Sequence, residues 1–137
     1  MTLTLAIDLI AGLALAVAFG GMTFFSAVVA PLVFVKLPAA TAGGFIRELF
    51  PWYYLTLGAV SLIATLALLG AGRSSAALLA GVTVLGFVVA RQGLMPAINA
   101  ARDAKQPQRF NRLHRLSVII NGVQWLLLGA ALVLVLR

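Results

Sequence analysis

Residues 109–137 read RFNRLHRLSVIINGVQWLLLGAALVLVLR. From Trp125 to Leu136 the stretch is wholly apolar and suits hydrocarbon. Its first half carries the only histidine of the chain, with Arg109, Arg112, Arg115, Asn111 and Asn121, toward the same helix. At about 100° per residue, His114, Ser117, Asn121 and Gln124 fall within an arc of roughly 80°. Facing lipid, such a row would lack partners. It therefore predicts a helix face turned to the bundle interior, another subunit or a water-filled cavity.

Working outward, the whole chain has the same character. Of 137 residues, 63% are hydrophobic and only 9% charged, against about 25% charged in a soluble domain; mean hydropathy is +1.11. One transmembrane domain over residues 1–137 is expected. The absence of cysteine excludes disulfides, thiolate metal sites and Cys nucleophiles. The net charge of +7 sits between apolar runs, which points to loop bias in a membrane protein rather than to nucleic acid.

The predicted fold is all-α, a membrane four-helix bundle with helices near residues 3–35, 51–70, 75–98 and 113–136. A short interfacial helix, about 39–49, is expected between the first two. The opening MTLTLAIDLIAGLALAVAFGG has Asp8 where a signal peptide would carry a basic residue, and its apolar run continues through FSAVVAPLVF. It reads as a retained first helix. Pro31 removes the hydrogen bond to the Ala27 carbonyl and predicts a kink. Pro51 suits a first helical position, with Trp52, Tyr53 and Tyr54 in an interfacial aromatic belt. GAGRSS predicts a tight turn between antiparallel neighbours. Small residues at Gly12, Ala16, Gly20, Thr23 and Ala27 would let another backbone, or a cofactor, approach helix one closely.

Helix three supplies a second polar face: Arg91, Met95, Asn99 and Arg102 share an arc of about 80°. Arg91 lies about 10 Å inside the helix end. Its guanidinium either snorkels to the interface or turns inward beside the carbonyl of Gln92 that Pro96 frees. Asp8 is expected to pair at the outer interface with Arg73 or Arg137. Glu48 and Asp103 are expected to serve the basic cluster as loop charges or partners.

Catalytic patterns are missing. No carboxylate pair, nucleophile–base set or phosphate-cradling glycine motif occurs. His114 has no second histidine and no acid at ligand spacing, so no metal site and no cofactor is expected. Haem held through His114 is the one chemical alternative.

The runs GGMTFFSAVVAPLVFVKLPAATAGGFIRELFPWYY, RQGLMPAINAARD and FNRLHRLSVIINGVQ resemble the transmembrane-protein-205-like family (domain of unknown function 4149). LFPWYY, MPAIN and RLHRLSVIIN are its most specific parts, and the likeness spans nearly the whole chain. It implies a small four-helix membrane protein and brings no settled activity. More distantly, the arrangement is similar to copper-resistance-D-type proteins and the small haem-binding protoporphyrinogen oxidase of bacteria. Those rely on histidines within their helices, and helix one here has none.

The expected function is non-enzymatic: binding or passing a small anionic or amphiphilic ligand in the cytoplasmic half of the bundle. Arg91, His114, Ser117, Asn121 and Gln124 would line the site, with Asn99 near it and Tyr53 and Tyr54 at its rim. The alternatives are a haem-dependent or cofactor-free oxidoreductase and a small accessory subunit of a larger complex. Beyond the lipid bilayer, a homo-oligomer or such a complex is the expected partner, and nucleic acid is not.

Orientation follows from Lys36, Arg47, Arg102, Lys105, Arg109, Arg112 and Arg115 on one side, against Arg73 and Arg137 on the other. In a bacterial inner membrane this puts both termini outside. Reporter fusions after Arg137 should therefore behave as periplasmic, and fusions within residues 101–112 as cytoplasmic. The reverse pattern would invert the site.

Overall fold

Lipid offers the backbone no hydrogen-bond partners, so a chain this apolar must satisfy its N–H and C=O groups within helices. The computed structural model, which describes residues 2–137, does so with four: α1 (Leu3–Lys36), α2 (Ala39–Gly70), α3 (Ser74–Asp103) and α4 (Pro107–Leu136). Each is long and apolar enough to cross a membrane, which makes this a multi-pass membrane protein. A helix of 30 residues is about 45 Å long and outruns the hydrocarbon core of about 30 Å. The surplus turns of α2, α3 and α4 lie where the α1–α2 and α3–α4 links meet, the basic end of the molecule. Neighbours in the chain pack against each other, and α4 closes back on α1.

Two of the links are set by hydrogen bonds. After α2, Gly72 takes φ 72°; its N–H donates to the Leu69 carbonyl and that of Arg73 to the Leu68 carbonyl. This is a Schellman closure, and glycine suits its left-handed residue. The same two bonds recur after α3, from Lys105 to Arg102 and from Gln106 to Ala101. Here Lys105 takes the positive φ, 52°, without glycine's freedom.

Several boundaries differ from the sequence reading. The expected interfacial helix is fused to the second span, because α2 runs unbroken from Ala39 through Pro51. Pro51 therefore occupies a helix interior rather than a first turn. The bond it deletes belongs to the Arg47 carbonyl, at the basic end, where loss is tolerated best. α3 likewise continues past Ile98 to Asp103, and α4 begins at Pro107, in its first turn, instead of near residue 113.

The two other buried-span prolines are accommodated by wide turns. Phe25–Val29 and Ala90–Leu94 are π-helical, each ending two residues before a proline, Pro31 or Pro96. In α1 the Ala30 N–H reaches back to the Phe25 carbonyl. In α3 the Met95 N–H reaches the Ala90 carbonyl. A fifth residue in the turn relieves the clash between the proline ring and the preceding turn.

Between the helices lie small side chains: Ala11, Ala14 and Ala18 of α1, Ala64 of α2, Ala77 and Ala80 of α3 and Ala131 of α4 are buried, whereas Leu13, Leu66, Leu78, Leu85 and Leu126 point outward. Lipid removes the incentive to hide leucine, and close backbone approach supplies the packing energy instead. The small residues that the sequence singled out on α1 are a different row. Gly12 and Gly20 meet nothing that a Cβ would touch, and Ala16 and Ala27 are exposed. The adjoining row, Ala11, Ala14, Ala18 and Met22, makes the interior contacts.

Polar ties complete the bundle. Asp8 accepts from Arg73 at 2.8 Å, joining the start of α1 to the α2–α3 turn as the sequence suggested. Gln124, 3% exposed, donates to the Thr83 carbonyl at 3.0 Å across α3 and α4, and lies against Gly86, where a Cβ would crowd it. Its Oε1 has no partner among the described residues. Gln124→Leu removes that unpaired oxygen and leaves the Thr83 carbonyl its place in the helix. Unfolding in mixed micelles should show stability within about 1 kcal/mol of the parent. Leu128→Ala, emptying a fully buried position on the same helix, should cost about 2 kcal/mol or more.

Candidate ligand-binding site

The polar row of α4 sinks progressively into the bundle. His114 is exposed, Ser117 and Asn121 are half-buried, and Gln124 is buried. The His114 ring stacks parallel on Phe110, centroids 5.8 Å apart, and makes no hydrogen bond within the described residues. Ser117 donates to the carbonyl of His114 at 2.8 Å, a local bond that leaves its oxygen free to accept. The Tyr53 hydroxyl faces Asn121 Oδ1 at 3.3 Å, long for an O–H donor.

Two cavities meet at this row. The inner one, about 360 Å³, lies among α2, α3 and α4, with Asn99, Arg102, His114, Ser117 and Tyr54 among its walls. The outer one, about 670 Å³, is a cleft between Met22–Phe34 of α1 and His114–Trp125 of α4. Phe34, Ile46, Phe50 and His114 belong to both. The partition is thus three apolar side chains and one imidazole.

Arg102 is the cation of the inner cavity. Its Nη1 donates to the Gly43 carbonyl at 3.0 Å, and its guanidinium lies over the Phe110 ring, 5.7 Å from the centroid. Gly43 is buried, and the space a Cβ would fill is taken by the guanidinium. Only glycine permits this approach. Arg47, on the same wall, is committed differently: it grips Asp103 with both Nη atoms, at 2.7 and 2.9 Å. Its charge is balanced, and that of Arg102 has neutral partners.

The remaining residues named from sequence are dispersed. Arg91 lines a separate groove with Leu55, Gly58 and Leu62, and its Nε donates to the Pro51 carbonyl at 3.2 Å. It ties α3 to the proline-bearing turn of α2. Tyr53 and Tyr54 are buried, 9% and 6% exposed, while Trp52 alone faces outward at 67%. Their position follows from helix phase: Phe50, Tyr53, Tyr54 and Leu57 form one inward row, so the expected belt reduces to Trp52. Phe25, the first residue of the π turn, joins Phe50 and Tyr53 at centroid distances of 5.6 and 4.6 Å.

Sequence reasoning placed Arg102 on the correct face of α3 yet left it out of the site. Its contact with Gly43 spans 59 residues and has no local signal. Phe34, Ile46 and Phe50 were equally invisible, being apolar residues in apolar segments. Trp125, which donates to Thr23 Oγ1 at 2.8 Å and stacks on Phe19 at 5.0 Å, closes the deep end of the cleft.

Chemically, the arrangement is an apolar volume with one guanidinium that bonds no carboxylate, although it adds to the pull on the neighbouring Asp103, and several hydrogen-bonding groups. Among the described residues, no three of His, Cys, Asp and Glu come together.

These features define a small four-helix membrane protein with a mostly apolar cavity at its basic end. The family model described as a domain of unknown function (DUF4149) matches residues 13–107, more than half of the chain. The chain belongs to that family. The match takes in α1, α2 and α3 and stops at the first turn of α4, short of the polar row. Comparison with curated proteins and with solved structures gave no match.

Single cysteines test the burial gradient. At positions 117 and 121 they should react with small polar thiol reagents. At 124 a cysteine should stay inert, as should the outward controls at 119 and 126, which face lipid. Labelling at 124 equal to that at 117 would show that water reaches the helix interface.

Proposed function

We propose that this protein binds, or passes, a small amphiphilic anion in the basic half of the bundle, with its basic end in the cytoplasm, both termini outside and the membrane a bacterial inner membrane. The observation that carries the reading is Arg102: a guanidinium facing a mostly apolar cavity, held by a carbonyl and an aromatic face, with no carboxylate bonded to it. In such surroundings a charge-assisted hydrogen bond to a carboxylate or phosphate oxygen is strong. Asn99 and Ser117 add neutral hydrogen-bonding groups on adjoining walls, and the surrounding positive charge favours an anion over a cation. Membership of the family of unknown function is silent on activity, so the cavity bears the argument. Arg91, bound to Pro51 in another groove, serves the fold.

Binding of radiolabelled dodecanoate to the protein in phosphatidylcholine nanodiscs tests this. Arg102→Gln should weaken binding about tenfold or more, the worth of one charged hydrogen bond. Arg91→Gln should change it by about twofold at most. Dodecanol should compete poorly. Unaltered dodecanoate binding by the Arg102→Gln protein would overturn the proposal.

A further inference from the structure

The outer cleft is elongated. On α1 its wall runs from Met22 to Phe34, and on α4 from His114 to Trp125. At 1.5 Å per residue these walls are about 17 Å long, close to half of the hydrocarbon core of about 30 Å. One mouth lies just inside Lys36, at the basic end; the other end is stopped by Trp125, hydrogen-bonded to Thr23. The cleft therefore covers one leaflet, parallel to the acyl chains around it.

It also opens to those chains. Ser26, Ala27, Val118 and Gly122 along its walls are exposed, and a Cβ at Gly122 would meet nothing. At the basic end the cleft abuts the inner cavity through Phe34, Ile46, Phe50 and His114. An occupant that fills both spaces has an apolar tail about one leaflet long and an anionic head at Arg102. The inner cavity, about 360 Å³, lies at the small end of ligand pockets. It accepts a carboxylate-sized head, and a glycerol backbone with two chains exceeds it.

The π turn accounts for an acceptor in the same wall. In a regular helix the Ser26 carbonyl would receive the Ala30 N–H, but that donor has moved to Phe25. The next donor, at a spacing of five, would be Pro31, which has none. Ser26 and Ala27 thus line the cleft beside weakened backbone pairing.

We propose that the cleft between α1 and α4 is a lateral passage from the cytoplasmic leaflet, and that its occupant is a long-chain fatty acid. The chain lies along α4 with its methyl end near Trp125, and the carboxylate crosses the partition at His114 to reach Arg102. This identification rests on the amphiphilic-anion reading above; the passage itself is a separate claim.

Trp125 is a built-in reporter once Trp52, the only other tryptophan, is replaced; both are exposed, Trp52 at 67% and Trp125 at 37%, so saturation is what separates a bound chain from bulk lipid. In the Trp52→Phe protein, reconstituted in phosphatidylcholine vesicles, stearate brominated in the distal half of its chain should quench Trp125 saturably. Stearate brominated beside the carboxylate should quench much less. Unlabelled stearate should reverse the effect, and stearyl alcohol at equal concentration should not. Gly122→Phe places a ring in the open cleft and should weaken this quenching about tenfold or more. Ala27→Leu, from the opposite wall, provides the same block by an independent change, with circular dichroism reporting that each variant retains its helices.

Non-saturable quenching that brominated phosphatidylcholine reproduces would assign the cleft to ordinary bilayer lipid and overturn the passage. Quenching untouched by both blocking variants would overturn it as well. If the passage fails while Arg102→Gln still abolishes dodecanoate binding, the inner site stands and is reached from elsewhere. If dodecanoate does not bind at all while stearate quenching remains saturable and blockable, the passage stands and Arg102 is not its terminus.

Discussion

Every spanning segment of this protein is governed by the requirement that backbone polar groups be paired inside lipid. Three prolines within the helices challenge that requirement, and it is met in two ways. Pro31 and Pro96 are preceded by wide turns that shift the hydrogen-bond partner by one residue. Pro51 stays in a continuous helix near its basic end, and its own carbonyl takes a bond from Arg91. All three lie in the basic half. There the helices are loosened and the cavities form, whereas the opposite half is closed by rows of alanine.

The contrast between halves is one of side-chain size. Toward the termini, Ala11, Ala14, Ala18, Ala77 and Ala80 bring helices together until no space remains. Toward the basic end, bulky rings of Phe25, Phe50, Tyr53 and Tyr54 hold them apart. Gln124 marks the boundary: above it the polar row of α4 faces open space, and at its own level a single interhelical bond seals the contact. A bundle built in this way is rigid at one end and accommodating at the other.

Much of this was legible from sequence because membrane helices are written in long apolar runs. Their number, their order, the tight α2–α3 turn and an ion pair of Asp8 at the outer end all followed from hydropathy and charge, while the choice of Arg73 over Arg137 is seen only in the fold. Helix ends were not legible. The helix at 39–49 was read, but not its unbroken run through Pro51 into the second span, and the polar extension Pro107–Leu113 continues α4 beyond lipid with little hydrophobic signal. The site was legible in part. Periodicity placed His114, Ser117 and Asn121 on one face, yet it could not show that Arg91 would bond to a carbonyl 40 residues away. Nor could it show that Arg102 would fold over Gly43. Those outcomes depend on which helix lies opposite, and a lipid-facing and a helix-facing alanine look alike in one dimension.

The wide turn of α1 has a consequence for how this segment can vary. Five residues where an α-helix would use four advance the side-chain rows by about 100°. Ala11, Leu15, Ala18 and Met22 are buried before it; Phe25 and Val29 within it and Val33 after it are half-buried. Replacing one small apolar residue of Phe25–Val29 by another leaves that advance intact. Losing a residue rotates Ala30–Lys36 away, and Phe34 leaves the partition between the cavities. The count of residues in this turn, more than their identity, is what the architecture has to keep.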